Sequence, residues 1–549
     1  MNYNNFRFWI LFGLVYLVYW RLDRRRQNTL LLVASYVFYG AWDYRFLFLI
    51  LLSTVIDFIG GLGVAGVELP ARKRRGLGVL LIGSSILLTA GIRYDLLFAG
   101  DVVAALPGHA RDWAIPLATL FATVAYGVFL PRLYRLPTEQ RRKVFLVISM
   151  VANLAILGFF KYCDFFIDSV TRLFDTLGLG TPSWTTLNLI LPAGISFYTF
   201  QAMSYTIDIY RRQTEPTQDF GDFALFVAFF PHLVAGPIMR AHTLLPQVVQ
   251  DRRDPRGTPA MREGLILVLV GLCKKLVIAD NMAPLANAVF FRFLDGHGEG
   301  VSGPEVLLGI YAFALQIYGD FSGYSAIARG ISKWLGFELV ENFHLPYLAQ
   351  SPSDFWKRWH ISLSSWLRDY LYIPLGGNRG GVVKQYRNLL LTMVLGGMWH
   401  GASFTFIVWG TFHGLILCVY RAFGISEVVA PDRPGAGLRR ALRIVIMFHL
   451  VCFGWLFFRA DNFPAAFAML EAMVTRFHFD GATLRPMLAE IVLLGAIPLA
   501  LEIPLDGERR LQRLANGPVW VQILAYAYVV SLLLFLHSVK AHEFIYFQF

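Results

Sequence analysis

A succession of long apolar runs broken by short basic clusters constrains this chain more than any other feature. Runs such as Phe8 to Trp20, Phe46 to Val64, Leu77 to Ile92, Val144 to Phe160, Ile444 to Phe458 and Val519 to Leu536 carry few charges. About 20 apolar residues in helical form span the roughly 30 Å hydrocarbon core of a bilayer. Within lipid, backbone N–H and C=O groups must pair inside their own segment, so helix is the expected form. Strand-length segments of alternating polarity, which a barrel needs, are absent. Of the 549 residues, 56% are hydrophobic and only 16% charged, and the mean hydropathy is +0.53, whereas a soluble chain carries about 25% charge. The chain reads as an all-α polytopic integral membrane protein, with roughly 11–14 transmembrane helices plus re-entrant helices.

The formal charge of +12 points away from nucleic acid, because the basic residues lie in short clusters between apolar runs. That distribution follows the positive-inside rule. The first run is followed at once by Arg21, Arg24, Arg25 and Arg26 and then by another apolar run, unlike a cleaved signal peptide, which ends in small residues. This predicts a cytoplasmic first loop and a periplasmic N-terminus. Alternation then puts Arg72 to Arg75, Arg132 to Lys143 and Arg211 to Arg212 inside, all basic as required. The four cysteines, Cys163, Cys273, Cys418 and Cys452, are isolated and read as small core hydrophobes.

There is no internal repeat and no long soluble stretch, so residues 1–549 read as one membrane domain. Residues 1–180 read as scaffold helices, 185–420 as a catalytic core with re-entrant segments, and 440–549 as closing helices. Within the core, Leu191 to Gln201 places polar and helix-breaking residues in an apolar span, with Tyr198 and Gln201 among them. The stretch Phe229 to Pro237 lies between two basic segments and is expected to enter and leave by one face. Asp354 to Arg368 mixes aromatics with charges and suits a buried re-entrant helix, and Gly376 to Gly381 follows as a glycine-rich loop with a basic residue. Asn388 to Trp399, about 18 Å of helix, then carries His400 toward mid-bilayer.

Ionisable residues at membrane depth are functional candidates by default, and histidine is the usual general base near neutral pH. His400 is the first candidate, a packed core histidine being the alternative. His360, forty positions earlier, shares a helical face with Trp356 and Ser364 at i±4 spacing; an interfacial cap or a carbonyl-bound histidine is the alternative. Trp399 and Trp359 precede the two histidines and read as supporting residues. His413 reads mainly as a supporting residue. Arg358, Arg368, Arg379 and Arg387 suit the phosphates of an anionic donor, or else are ordinary inside-positive charge. Asp320 could orient a histidine, although for it, Glu338 and Glu341 a capping role is favoured. No Walker motif, nucleophile elbow or metal-binding spacing is present.

These stretches resemble the membrane-bound O-acyltransferase family, in particular its bacterial branch that acetylates alginate and related polysaccharides. The resemblance rests on Ile195 to Tyr210, Phe229 to Arg240, Tyr318 to Tyr324, Asp354 to Tyr370, Gly376 to Arg379, Gly396 to Gly401 and Phe453 to Arg459. It implies tilted helices around a central tunnel, with His400 at the family's histidine position and His360 at its second active-site position. It further implies acetyl-CoA or another acyl-CoA as donor substrate with no permanently bound cofactor, and a polysaccharide acceptor reached from the bacterial inner membrane through a periplasmic partner of the SGNH-hydrolase type. Surrounding membrane lipid is the remaining partner. Two other classes remain open from the residues alone: a transporter or flippase for a glycan or small anion, and a non-catalytic scaffold of an acetylation complex.

Overall fold

The apolar runs are helices. In a computed structural model, residues 3, 5–180, 186–234, 236–294, 298–429, 435–500, 508–538, 540, 542 and 544–545 are described, and among them no β-strand forms. Among the described residues, seven helical stretches can cross a membrane by length and composition: Arg24–Ala65, Ala110–Tyr134, Thr138–Thr176, Gly303–Trp334, Phe404–Ala422, Ala436–Arg459 and Gly481–Ala500. Shorter apolar helices at Phe6–Tyr19, Phe463–Thr475 and Val519–Phe535 add to these. Within the first stretch a 3-10 turn at Tyr44–Phe46 divides the chain into two helices. The chain is thus an all-α polytopic membrane protein.

The chain divides into two compact units. One comprises residues 1–167, 182–234 and 238–253, the other 168–181, 235–237 and 254–549. In the first, α1 (Phe6–Tyr19), α2 (Arg24–Asp43), α3 (Leu47–Ala65), α4 (Ala71–Thr89), α5 (Ala114–Tyr134), α6 (Thr138–Thr176), α7 (Ile195–Tyr210), α8 (Phe220–Ala228) and α9 (Ala241–Val249) follow in order. The N-cap of α2 is Asp23, whose carboxylate accepts from the Arg26 N–H, satisfying one of the donors a helix start leaves open. This region, expected to be plain scaffold, holds a buried carboxylate. Asp57 of α3 accepts from Ser149, from Asn153 at 2.8 Å and from Thr206 at 3.1 Å, and Ser53 donates to the Asn153 carbonyl at 2.8 Å. Four neutral side chains on three helices thus satisfy a group that lipid could not. Of the stretch Phe229 to Pro237, Ala235 lies outside the described residues; Phe230–Leu233 is a single helical turn, wholly buried.

The second unit is built on α10 (Pro259–Cys273), α11 (Asp280–Phe290) and the long α12 (Gly303–Trp334). Small residues bring the backbones of α10 and α12 together: a Cβ on Gly271 would stand 2.6 Å from the Gly323 carbonyl oxygen, and one on Gly330 the same distance from that of Gly264. Such close approach is the usual way helices associate where no hydrophobic driving force acts between them. The unit continues with α13 (Pro352–Trp356), α14 (Ile361–Leu367), α15 (Val382–His400), α16 (Phe404–Ala422), α17 (Ala436–Arg459), α18 (Phe463–Thr475), α19 (Gly481–Glu490) and α20 (Val519–Phe535).

Helices α15 and α16 form a hairpin that sets the position of His400. A Cβ on Gly397 would collide with the Phe406 carbonyl oxygen and one on Gly410 with that of Met393. Gly397→Ala is therefore expected to destabilise the protein by about 1–3 kcal/mol, the usual cost of overpacking. A thermal melt in detergent measures it, and an unshifted melting temperature contradicts the close packing.

Candidate active site

His400 is the last residue of α15, and local chemistry fixes both ends of that helix. Its start follows a loop in which Gly376, Gly377, Gly380 and Gly381 all take positive φ, a conformation that glycine adopts without penalty. Asn378 gathers the loop, its amide oxygen accepting from Tyr372 at 2.6 Å and Gln385 at 2.7 Å, and Asn388 donates to the Gly377 carbonyl at 3.2 Å. The helix ends because Gly401 is extended and Ser403 caps α16, accepting from the Thr405 N–H. At 19 residues it is about 28 Å long and begins six residues before Asn388. The helix carrying His400 is therefore longer than the 12-residue piece expected, and its length does not place His400 at mid-bilayer.

The His400 ring is 5% exposed. It meets Trp399 and Trp409 edge to face, each at 5.0 Å between centroids, and Phe458 at 5.2 Å. It also lines a cavity of about 340 Å³. Its lining combines exposed Lys357 and Arg368, both more than 60% exposed, with buried His400 and Trp409, and includes Trp356, Ser364, Leu363, Thr392 and Met393. The volume lies in the usual range for small-molecule sites, which are mostly apolar with few polar groups.

His360 is held differently. The helix expected through Asp354 to Arg368 is broken into α13 and α14, and His360 stands at the break with φ +44°. A non-glycine residue in the left-handed region costs about 1–3 kcal/mol and persists only where its surroundings impose it. Here Asn342 does so. Its backbone carbonyl accepts from the Ile361 N–H at 2.9 Å. Its side-chain oxygen accepts from the Ser362 N–H at 3.2 Å and the Ser362 hydroxyl at 2.9 Å, and lies 3.2 Å from His360 Nδ1. Because a backbone N–H fixes that Asn atom as an acceptor, His360 Nδ1 must carry the proton, and Nε2 bears the lone pair. The ring is fully buried, edge-on to Phe321 at 4.6 Å and to Trp399 at 6.0 Å. Trp399 is thus the ring both histidines share.

The break has a further consequence. Trp356 does not share a helical face with His360: it packs on Trp409 at 5.8 Å and His413 at 5.1 Å, whereas Trp359 packs against Phe343 at 5.1 Å and Trp455 at 4.9 Å and lies off the cavity wall. Ser364 is on the wall, its hydroxyl donating to the Trp359 carbonyl at 3.0 Å. His413 is fully buried, one ring removed from His400 through Trp409, which it meets at 4.9 Å. Neither of its ring nitrogens has a hydrogen-bond partner among the described residues.

Of the four arginines, Arg368 alone lines the cavity, and Asp369 binds it at 2.7 and 3.1 Å. Arg358 is taken up by Asp354 at 2.7 Å, one helical turn away, and also reaches the His344 carbonyl, so an ion pair occupies the group expected to meet phosphate. Arg379 and Arg387 are exposed, away from the cavity wall, with Arg387 donating to Asn388 at 2.9 Å. Lys357, which sequence reading passed over, is the second cation on the wall. It pairs with Glu427, which also accepts from Ser353 at 2.9 Å. The Lys357 ammonium holds the Glu427 carboxyl below its ordinary range.

Asp320 neither caps a helix nor orients a histidine. It lies in the middle of α12, its carboxylate 2.8 Å from Lys275 Nζ and accepting from the Ile545 N–H at 2.7 Å. Glu338 and Glu341 pair with Lys333 at 2.6 Å and Arg329 at 3.6 Å. Tyr198 and Gln201 lie on α7 in the first unit, where Gln201 donates to the Phe226 carbonyl at 2.5 Å and faces His232 Nε2 at 3.3 Å. Among the described residues no group of three or more His, Cys, Asp or Glu side chains could hold a metal ion.

Many helices and a mostly apolar cavity lined by a buried histidine mark a membrane protein with a candidate small-molecule site. Residues 215–459 match the profile described as "MBOAT, membrane-bound O-acyltransferase family", and the chain belongs to that family. It is 37% identical over 476 residues to the "Probable alginate O-acetylase AlgI" of Pseudomonas aeruginosa, covering 86% of this chain and 75% of that one. A "Peptidoglycan O-acetyltransferase" of Helicobacter pylori is 35% identical over 65% of this chain and 70% of its own. A "Teichoic acid D-alanyltransferase" of Bacillus subtilis is 26% identical over 70% of this chain and 96% of its own. The chain is a membrane O-acyltransferase of the alginate O-acetyltransferase branch.

Proposed function

We propose that this enzyme takes an acetyl group from cytoplasmic acetyl-CoA and delivers it for O-acetylation of an extracytoplasmic polysaccharide, through a periplasmic partner of the SGNH-hydrolase type. The membrane is then the bacterial inner membrane, with the N-terminus periplasmic and the reaction carried by the core, residues 185–420. The observation that carries this reading is the buried His400 on the wall of an apolar cavity that the exposed Lys357 and Arg368 also line. Lys357 and Arg368 suit donor phosphates once these replace their carboxylate partners Glu427 and Asp369, and the apolar wall keeps water from the thioester.

The step follows from general-base chemistry. The acceptor hydroxyl oxygen attacks the thioester carbonyl carbon while His400 takes its proton. The C–S bond then breaks, and the departing CoA thiolate recovers a proton from the His400 imidazolium. His360, in the tautomer Asn342 fixes, presents a lone pair at Nε2. A proton-accepting relay or an orienting contact suits that nitrogen better than polarisation of the thioester carbonyl, which needs a donor. The acceptors named for the relatives, alginate, peptidoglycan and teichoic acid, share surface-polymer chemistry.

Proteoliposomes containing the enzyme in known orientation, given acetyl-CoA labelled in the acetyl group, test the donor and the sidedness. The expected result is release of CoA thiol, with label on the acceptor, only when acetyl-CoA faces the arginine-rich loops. Label entering the lumen as a free solute without thioester loss overturns the reading in favour of transport.

A further inference from the structure

The most unusual polar group in the second unit lies outside the cavity. Between α10 and α11 the chain forms a π-helical stretch, Lys274–Ala279, a local widening that often marks functional sites. On it Lys275, 1% exposed, makes three contacts: Asp280 at 2.9 Å, Asp320 at 2.8 Å and the His542 carbonyl at 3.0 Å. The His542 carbonyl takes a hydrogen bond from the ammonium, and the two carboxylates are its counter-ions. The second Asp320 oxygen accepts from the Ile545 N–H at 2.7 Å. The ion cluster therefore holds the backbone groups of His542 and Ile545, on both sides of Phe544. Two more ties lie upstream, from Asn281 to the Leu536 carbonyl at 2.8 Å and from the Ser538 N–H to the Leu276 carbonyl at 3.0 Å.

What the grip holds in place is an aromatic side chain. Phe544 is fully buried, its ring 4.3 Å from Tyr324 and 6.0 Å from Phe321. Phe321 is the ring against which His360 stands at 4.6 Å, and it also meets Phe343 at 5.0 Å. Apolar contact alone has no direction and would let the segment slide; two hydrogen bonds to fixed carboxylate and ammonium groups set its register. His360 needs such backing, because its left-handed backbone holds only while its neighbours stay put.

We propose that His542, Phe544 and Ile545 form a positioning strap for His360: Lys275 and Asp320 clamp the backbone of His542 and Ile545, so that Phe544 wedges behind Phe321 and fixes the imidazole against Asn342. Phe544 is a positioning residue, acting through Phe321 and never meeting substrate. The catalytic consequence rests on His360 belonging to the active site; the positioning itself does not.

The test is Phe544→Ala in the full-length membrane protein, with Phe544→Leu as a milder replacement that keeps most of the volume. The first readout is the rate at which diethylpyrocarbonate modifies His360, followed by mass spectrometry of its peptide. It should rise several-fold in Phe544→Ala and less in Phe544→Leu. The second is CoA release from acetyl-CoA, where kcat should fall about tenfold to a hundredfold, as small misplacements of reacting groups do, with KM for acetyl-CoA unchanged. Unaltered His360 modification in Phe544→Leu, or in Phe544→Ala where that variant accumulates, overturns the strap. His360→Ala with full activity overturns the role of His360 instead, and leaves the modification assay able to judge the strap.

Discussion

Replacing His400 with alanine is expected to lower acetyl-CoA-dependent transfer by about 10²–10⁴-fold, the contribution a well-placed general base makes. The expectation rests on placement: His400 is the histidine on the cavity wall, and three aromatic rings confine its imidazole. Alanine also leaves a void beside Trp409 and Phe458, which by itself destabilises. His400→Gln separates the two effects, because glutamine fills most of the space and cannot take the proton. Both variants should lose transfer, while His400→Gln keeps a near-native melting temperature. His413→Ala is the comparison: its ring is off the cavity wall and meets it through the rings of Trp356 and Trp409, so its loss should cost less than tenfold. Full transfer by purified, reconstituted His400→Gln would remove His400 from the chemistry.

The features that were legible in the sequence are those set by neighbours along the chain. Apolar length and basic clusters are local, and helices appear where they predict them, as in α3, α6, α17 and α20. His400 and His360 stood out for the same reason, each an ionisable group in an apolar setting. The break at His360 was hidden because Asn342, 18 positions upstream, imposes its backbone conformation. Trp409 and Lys357 were passed over although they line the cavity; only the folding of α13, α15 and α16 gathers them. Asp57 was missed inside a run that looked like a plain span, because its partners Ser149, Asn153 and Thr206 lie on α6 and α7. Arg358 was readable and misjudged: Asp354 precedes it by four residues, the spacing at which a helix pairs opposite charges.

Lys275→Met should destabilise the protein by about 3–5 kcal/mol, the cost of breaking a buried ion pair by removing one partner. The magnitude follows from what stays behind. Asp280 and Asp320 are each about 1% exposed, so without the ammonium two carboxylates face each other in an apolar interior and must be protonated or drive the site open. A methionine fills the volume of the lysine stem, so packing loss is a minor part of the effect. The charge origin makes a second expectation. In the triple variant Lys275→Met, Asp280→Asn, Asp320→Asn no buried charge remains, and the amide oxygen that replaces the Asp320 carboxylate can still accept from the Ile545 N–H. Much of the lost stability should return, since neutral replacements for a buried ion cluster are often tolerated. The comparison is made by thermal unfolding in detergent, together with the folded yield on size exclusion. A single variant as stable as the parent, or a triple variant no better than the single, would show that packing rather than charge holds α10, α11 and α12 together around this site.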